Sequence, residues 1–351
     1  MNSLIPTPDI LPVARGIFEF LLLLTFPLHL LVMNSLIGSL LIAGWAQWRG
    51  GDAGQRLAYR LAQIIPLLIA FTINLGVPPL LFVQVLYGHM IYSSSVLMGI
   101  FWIGVIPILL ILYYGAYFYD FRFWSLGRRG LPVLFSVLML GLAVAFIFSN
   151  NMTLMLTPEV WPHYFNSDNG NFLHLGEVSL LPRYLHMMVG ASAVGGLAVA
   201  FLSGLWRNED PEMVDCASSY GLRLFIAATL VQIVVGSWFL LSLRADVLSL
   251  FFGQHPMATA FFVAALLLVV VALHSALNRR VGATFASVVV LLYLMSFLRA
   301  YVRDGYLIRT FVELSTASVP DYSPLWLFVG TLLVGLVLVA WMVRVAFCCK
   351  E

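Results

Sequence analysis

Lysine occurs once in this chain, at Lys350, and charge of either sign is scarce. Only 10% of residues are charged, against about 25% in a typical soluble domain. The net charge of +2 leaves no broad basic face for a nucleic acid. Cysteine is limited to Cys216, Cys348 and Cys349, without the spacing of a thiolate metal centre or a redox pair. The sequence has no C-x-x-C-H, which excludes covalently attached c-type haem. Adjacent Cys348 and Cys349 read as reduced thiols beside the cytoplasm. P-loop, Rossmann glycine pattern, internal repeat and low-complexity tract are all missing. The first apolar run is about twice the length of a signal-peptide core and has no cleavage pattern. Glu19 is the only acid well inside a predicted span, so the intramembrane carboxylate chains of proton pumps are not expected.

What fills the chain is apolar: 62% of residues are hydrophobic, and the mean hydropathy is +0.98. A span needs about 20 apolar residues in a row. Nine runs qualify: 16–45, 58–86, 92–118, 131–149, 183–206, 222–243, 256–276, 281–301 and 323–346. The expected fold is an all-α polytopic membrane helix bundle, with residues 1–351 as one membrane domain. Twelve basic residues fall on one side: Arg49, Arg56, Arg60, Arg122, Arg128, Arg129, Arg207, Arg223, Arg279, Arg280, Arg344 and Lys350. Six fall on the other: Arg15, Arg183, Arg244, Arg299, Arg303 and Arg309. The positive-inside rule assigns the twelve to the cytoplasm. The N-terminus is then outside and the C-terminus inside, as an odd number of spans requires.

The longest connections are residues 150–182 and 302–322 outside and 207–221 inside. The first holds Trp161, His163, Tyr164, His174 and Glu177 and suits docking or covering a site. The acidic run of the inner connection reads as a solvated face. Histidine within a span calls for a specific partner, because a polar ring is costly in lipid. His29 lies near the middle of span one, and His186 one turn into span five. Gly190, Ala193 and Gly196 follow His186 at helical spacing, leaving room for a flat macrocycle or for close helix packing. Met257, at the head of span seven, shares the depth of His186, so one haem iron could take both. The alternatives are a structural hydrogen-bonding role for His186 and, for His29, a bond to a carbonyl or hydroxyl on a neighbouring helix. His89 and His255 lie near the outer surface and His274 at the inner end of span seven.

Four segments together resemble, distantly, subunit I of the cytochrome bd quinol oxidases. His29 is followed nine residues later by Gly38, as after a haem-ligating histidine of that family. Leu75-Gly76-Val77 precede Gln84 and Gly88, similar to an L-G-V run leading to a glutamate and a glycine. Arg183-Tyr184-Leu185-His186 resembles the segment R-[FM]-x-H-T, whose histidine ligates the low-spin b haem. Arg299 and the stretch from Gly305 to Thr310 are similar to the surroundings of the family's G-R-Q-P-W motif.

The resemblance implies that His186 and Met257 ligate a low-spin haem b and that His29 is the axial ligand of a second haem. His255 stands where the family has a basic residue. Gln84 and Arg299 complete the cofactor-binding set. The expectation is two haems b, within a range of one to three, with quinone as a further ligand class. The chain departs from the family as well. Gln84 replaces a glutamate, Ser296 stands near a second one, and G-R-Q-P-W has become Leu298-Arg299-Ala300-Tyr301-Val302. Span three lacks the acids that feed protons to oxygen. The loop that oxidises quinol shrinks to about a dozen residues around Arg244 to His255. The functional expectation is a haem b membrane subunit of a respiratory electron-transfer complex in the bacterial inner (cytoplasmic) membrane. It would link the quinone pool to a periplasmic multihaem cytochrome c, alone or beside other membrane subunits. A divergent quinol:oxygen oxidoreductase and a haem-free transporter or scaffold are the alternatives.

Overall fold

A computed structural model describes residues 4–11, 13–166, 170–206, 208, 210–308 and 322–348. Arg207, Glu209, Arg309, Thr310, Cys349 and Lys350 lie outside the described residues, as does most of the connection after residue 308. The described chain is all-α. The long helices are α1 (Arg15–Arg49), α2 (Gly51–Met98), α3 (Ile100–Phe121), α4 (Phe123–Leu156), α5 (Leu180–Trp206), α6 (Pro211–Leu241), α7 (Pro256–Leu277) and α8 (Val281–Leu307). A further helix, α9, runs over Ser323–Cys348. Among the described residues, α1 to α8 are each long and apolar enough to cross a membrane. Their apolar residues do not all turn inward: Val263, Leu266, Leu267, Val270 and Val271 of α7 are exposed. A helix apolar on its outer face is solvated by lipid, not water. The protein is a multi-pass membrane protein.

Two positions start sharply. Asp210 caps α6 by accepting from Met213 N at 3.0 Å, with Pro211 at the first helical position. His255 caps α7, its Nδ1 accepting from Ala258 N at 3.3 Å, with Pro256 next. The boundary between spans two and three differs from the expected one. α2 continues through 48 residues to Met98, kinked at Tyr87 (φ −136°, ψ 30°). The turn comes at Gly99, whose φ of +55° suits glycine, and Asn171 Oδ1 accepts from Ile100 N at 2.7 Å beside it.

The centre of the bundle is α5, buried along most of its apolar length. Glycines bring its neighbours in. A Cβ on Gly38 of α1 would sit 2.1 Å from the Gly195 backbone, and one on Gly221 of α6 would sit 2.4 Å from Gly196 O. Lipid supplies no hydrophobic drive between helices, so close packing of small residues holds them together. Gly196 and the buried Ala193 therefore serve helix packing, one of the two uses their spacing allowed. The acidic run before α6 is more than a solvated face. Arg56 of α2 pairs with Asp210 at 2.5 Å and with Glu212 at 2.9 Å, tying the start of α6 to α2.

Candidate functional site

α1 carries His29 beyond Pro27 and lays its ring against α2. His29 Nδ1 lies 3.1 Å from Thr72 O. A carbonyl oxygen only accepts, so Nδ1 holds the proton and donates. In the neutral ring the lone pair is then on Nε2. Gly76 makes room for this ring: a Cβ there would sit 2.9 Å from His29 Cε1 and 3.0 Å from Nδ1. The L-G-V glycine of the sequence thus has a local physical reason.

Arg299 of α8 lies within electrostatic reach of His29. Its guanidinium sits 4.3 Å over the Phe26 ring, one turn before His29, and donates to Met152 Sδ at 3.5 Å. Arg183 of α5 donates to Thr153 Oγ1 and to Ser179 Oγ, both at 3.2 Å. The two arginines feel each other's charge. Among the described residues neither has a carboxylate within ion-pair distance. Two cations held inside a membrane bundle by a thioether, hydroxyls and a ring are under-compensated, because burying a charge is expensive unless it is paired.

His186 of α5 faces α6. Gln232 Nε2 lies 2.8 Å from its Nδ1 and donates to its main-chain O at 2.8 Å. Phe239 lies 5.5 Å from the ring, centroid to centroid. Met257 is 53% exposed in the first turn of α7. His255, besides capping α7, packs its ring 4.9 Å from that of Tyr301 in α8. Gln84 is half-buried on α2, one turn before the kink.

The start of α1, the kinked part of α2 and the end of α8 meet in a polar cluster that sequence reading did not single out. Arg15 pairs with Glu19 at 2.6 Å and donates to Tyr87 Oη at 2.9 Å. Tyr87 Oη donates to Asp304 Oδ1 at 3.2 Å, and Arg303 pairs with the same oxygen at 3.0 Å. A cavity of about 200 Å³ opens beside Glu19, Phe297, Tyr301, Arg303 and Asp304. The signal for Tyr87 was weak, since one tyrosine near a span end is common; its place comes from the kink in α2. The connection after α4 bonds back to α2 and α4. Phe172 N donates to Leu97 O at 2.9 Å, His174 N to Asn150 Oδ1 at 3.3 Å, and Trp161 Nε1 to Leu154 O at 2.9 Å. The short loop after α6 is also fastened: Arg244 pairs with Asp246 and donates to Gly305 O, each at 3.0 Å. Among the described residues no group of three His, Cys, Asp or Glu gathers for a metal ion.

No protein-family model and no curated protein matches the sequence. Among solved structures, the chain is similar to one described as bd oxidase from Geobacillus thermodenitrificans. The TM-score is 0.72 at 13% identity, with 97% of each chain covered. At that identity the likeness is one of fold, and it bears out the distant resemblance read from the sequence over nearly the whole chain.

Proposed function

We propose that this chain, built on the architecture of a bd oxidase, is a haem b-binding membrane subunit of a respiratory electron-transfer complex. It belongs in the bacterial inner membrane, N-terminus outside and C-terminus cytoplasmic, and passes electrons between the quinone pool and a periplasmic cytochrome. The observation that carries the reading is His29. Its Nδ1–H is held by Thr72 O, its ring is seated on Gly76, and its Nε2 lone pair is left for a ligand. A haem-ligating imidazole needs this arrangement, with the far nitrogen donating to a carbonyl or carboxylate.

The residues present also fit the other end of a haem. Arg299 and Arg183 supply cationic donors suited to propionates, which would give both guanidiniums a carboxylate within ion-pair distance. His29 would be an axial ligand of one haem. His186, with Met257 or another donor opposite, would hold a second. When bound, the haem supplies one-electron chemistry, and the protein tunes it through ligands, hydrogen bonds and burial. Gln84 has the shape and hydrogen-bonding capacity of a glutamate without its titratable proton. Arg15, Tyr87 and Arg303 hold the carboxylates Glu19 and Asp304 at the outer edge. Both features favour electron transfer over the proton delivery that oxygen reduction needs. Other membrane subunits, and the multihaem cytochrome docked over the outer connections, are the proposed partners.

The test is a reduced-minus-oxidised spectrum of the purified protein with pigment extraction, repeated on His29→Ala. Haem b is expected, with a lower haem-to-protein ratio in the variant. A haem-free wild-type protein, or an unchanged ratio in folded His29→Ala, overturns the assignment.

A further inference from the structure

We infer that Gln232 is the positioning residue of His186 and decides which imidazole nitrogen is open to iron. The inference rests on the haem reading of His186 above, but its first consequence concerns the haem-free chain.

The Gln232 Nε2 amide has two hydrogens, and the geometry assigns both. One goes to His186 O at 2.8 Å and the other points at His186 Nδ1, also at 2.8 Å. An NH₂ group only donates, so Nδ1 accepts. A neutral imidazole that accepts at Nδ1 carries its proton on Nε2. That nitrogen then has no lone pair for a metal. His29 is the opposite case, because its Nδ1 faces a carbonyl oxygen and must donate. The two histidines are therefore in different tautomers, and only His29 is ready for iron as it stands.

The same carboxamide contains the means of changing this. Gln232 Oε1 is buried and has no partner among the described residues. A half-turn about the terminal bond of the side chain would bring this oxygen to Nδ1, where it would accept from Nδ1–H and free Nε2. The turn would give up the bond to His186 O and bring two oxygens together. That cost holds the ring in the Nε2–H form until a metal compensates for it. Glycine flanks the pair on both helices: a Cβ on Gly190 would sit 3.3 Å from Gln232 Nε2, and one on Gly236 would sit 3.1 Å from His186 Nδ1. With iron on Nε2, the turned oxygen would draw on Nδ1–H and make the imidazole a stronger donor to iron, favouring the oxidised state.

The experiment compares wild type with Gln232→Glu and Gln232→Leu, using two readouts. Imidazole ¹⁵N shifts of selectively labelled haem-free protein report the tautomer. Wild type is expected to show His186 as Nε2–H, and Gln232→Glu, whose ionised carboxylate only accepts, as Nδ1–H. A wild-type ring protonated at Nδ1 overturns the inference. Redox titration of the haem-loaded protein is the second readout. The midpoint potential of the low-spin haem should fall in Gln232→Glu and rise in Gln232→Leu. A purely structural role for Gln232 would leave it unmoved, and equal potentials in all three proteins refute the positioning role. If Gln232→Leu does not fold, the Gln232→Glu shift alone decides. A His186→Ala protein that keeps its low-spin band defeats the haem reading of His186. The tautomer result then still decides whether Gln232 sets the proton.

Discussion

Gly76→Ala tests whether α2 is shaped around the imidazole of His29. The new methyl would sit 2.9 Å from His29 Cε1 and 3.0 Å from Nδ1, inside van der Waals contact. The ring has to move by a few tenths of an ångström, and its 3.1 Å bond to Thr72 O stretches with it. Overpacking of this kind costs about 1–3 kcal/mol, and a weakened hydrogen bond adds up to about 1 kcal/mol. Alanine returns about 1 kcal/mol through its better helix propensity. The net lies between about zero and 3 kcal/mol of destabilisation, measurable by reversible denaturation in mixed micelles. The sign should reverse in a His29→Ala background, where the clash is gone and only the helix preference remains. There Gly76→Ala should be neutral or stabilising by up to about 1 kcal/mol. The double-mutant cycle should therefore show a coupling of at least about 1 kcal/mol, as expected for residues in contact. Equal destabilisation in both backgrounds, or a stabilised Gly76→Ala in the wild-type background, would show that Gly76 does not seat the histidine.

Replacing Arg299 by Gln keeps a donor and removes the charge; haem retention after detergent extraction should fall while circular dichroism stays helical, and unchanged retention would separate Arg299 from the cofactor. Met257→Ala should leave haem bound but shift its spin state if Met257 is a ligand; a change in His255→Ala alone would move that role to His255. Asp210, paired with Arg56, has its pKa held below the ordinary carboxylate value, chiefly by that hydrogen bond. Its contribution to joining α6 and α2 is thus fully present above the unfolded-state pKa and lost as pH falls through the lowered one. Asp210→Asn should melt at a lower temperature near neutrality and lose part of the wild-type drop in acid; parallel melting curves would refute this. A tag at residue 351 should resist a membrane-impermeant label in intact cells, and labelling would overturn the orientation.

Composition and run length were enough to reveal the bundle, because lipid imposes long apolar helices and little else. The α2–α3 boundary was not legible, since the kink at Tyr87 leaves no break in the apolar run and the turn waits for Gly99. His29 and Gly76 were each visible as oddities, a histidine in mid-span and a glycine in a helix. Their contact was not, because spacing within one chain says nothing about the register between helices. His186 was legible as a special residue but its partner was not. Gln232 is one glutamine in span six, and only packing on α5 gives it a role.

The longest helix is also the least complete. Pro66, Pro78 and Pro79 interrupt α2, and each lacks the N–H that would bond the carbonyl four residues back. Ala62, Asn74 and Leu75 therefore keep carbonyls without their usual partners, and Thr72, which holds His29, lies between these gaps. Hydrogen exchange should find amides in this stretch opening well before those of α5, since local opening follows where the ladder is thinnest. The seat of His29 is thus built on the most compliant turns of the bundle. A bulky planar ligand could be admitted there by bending one helix, with the glycine-locked core around α5 left undisturbed.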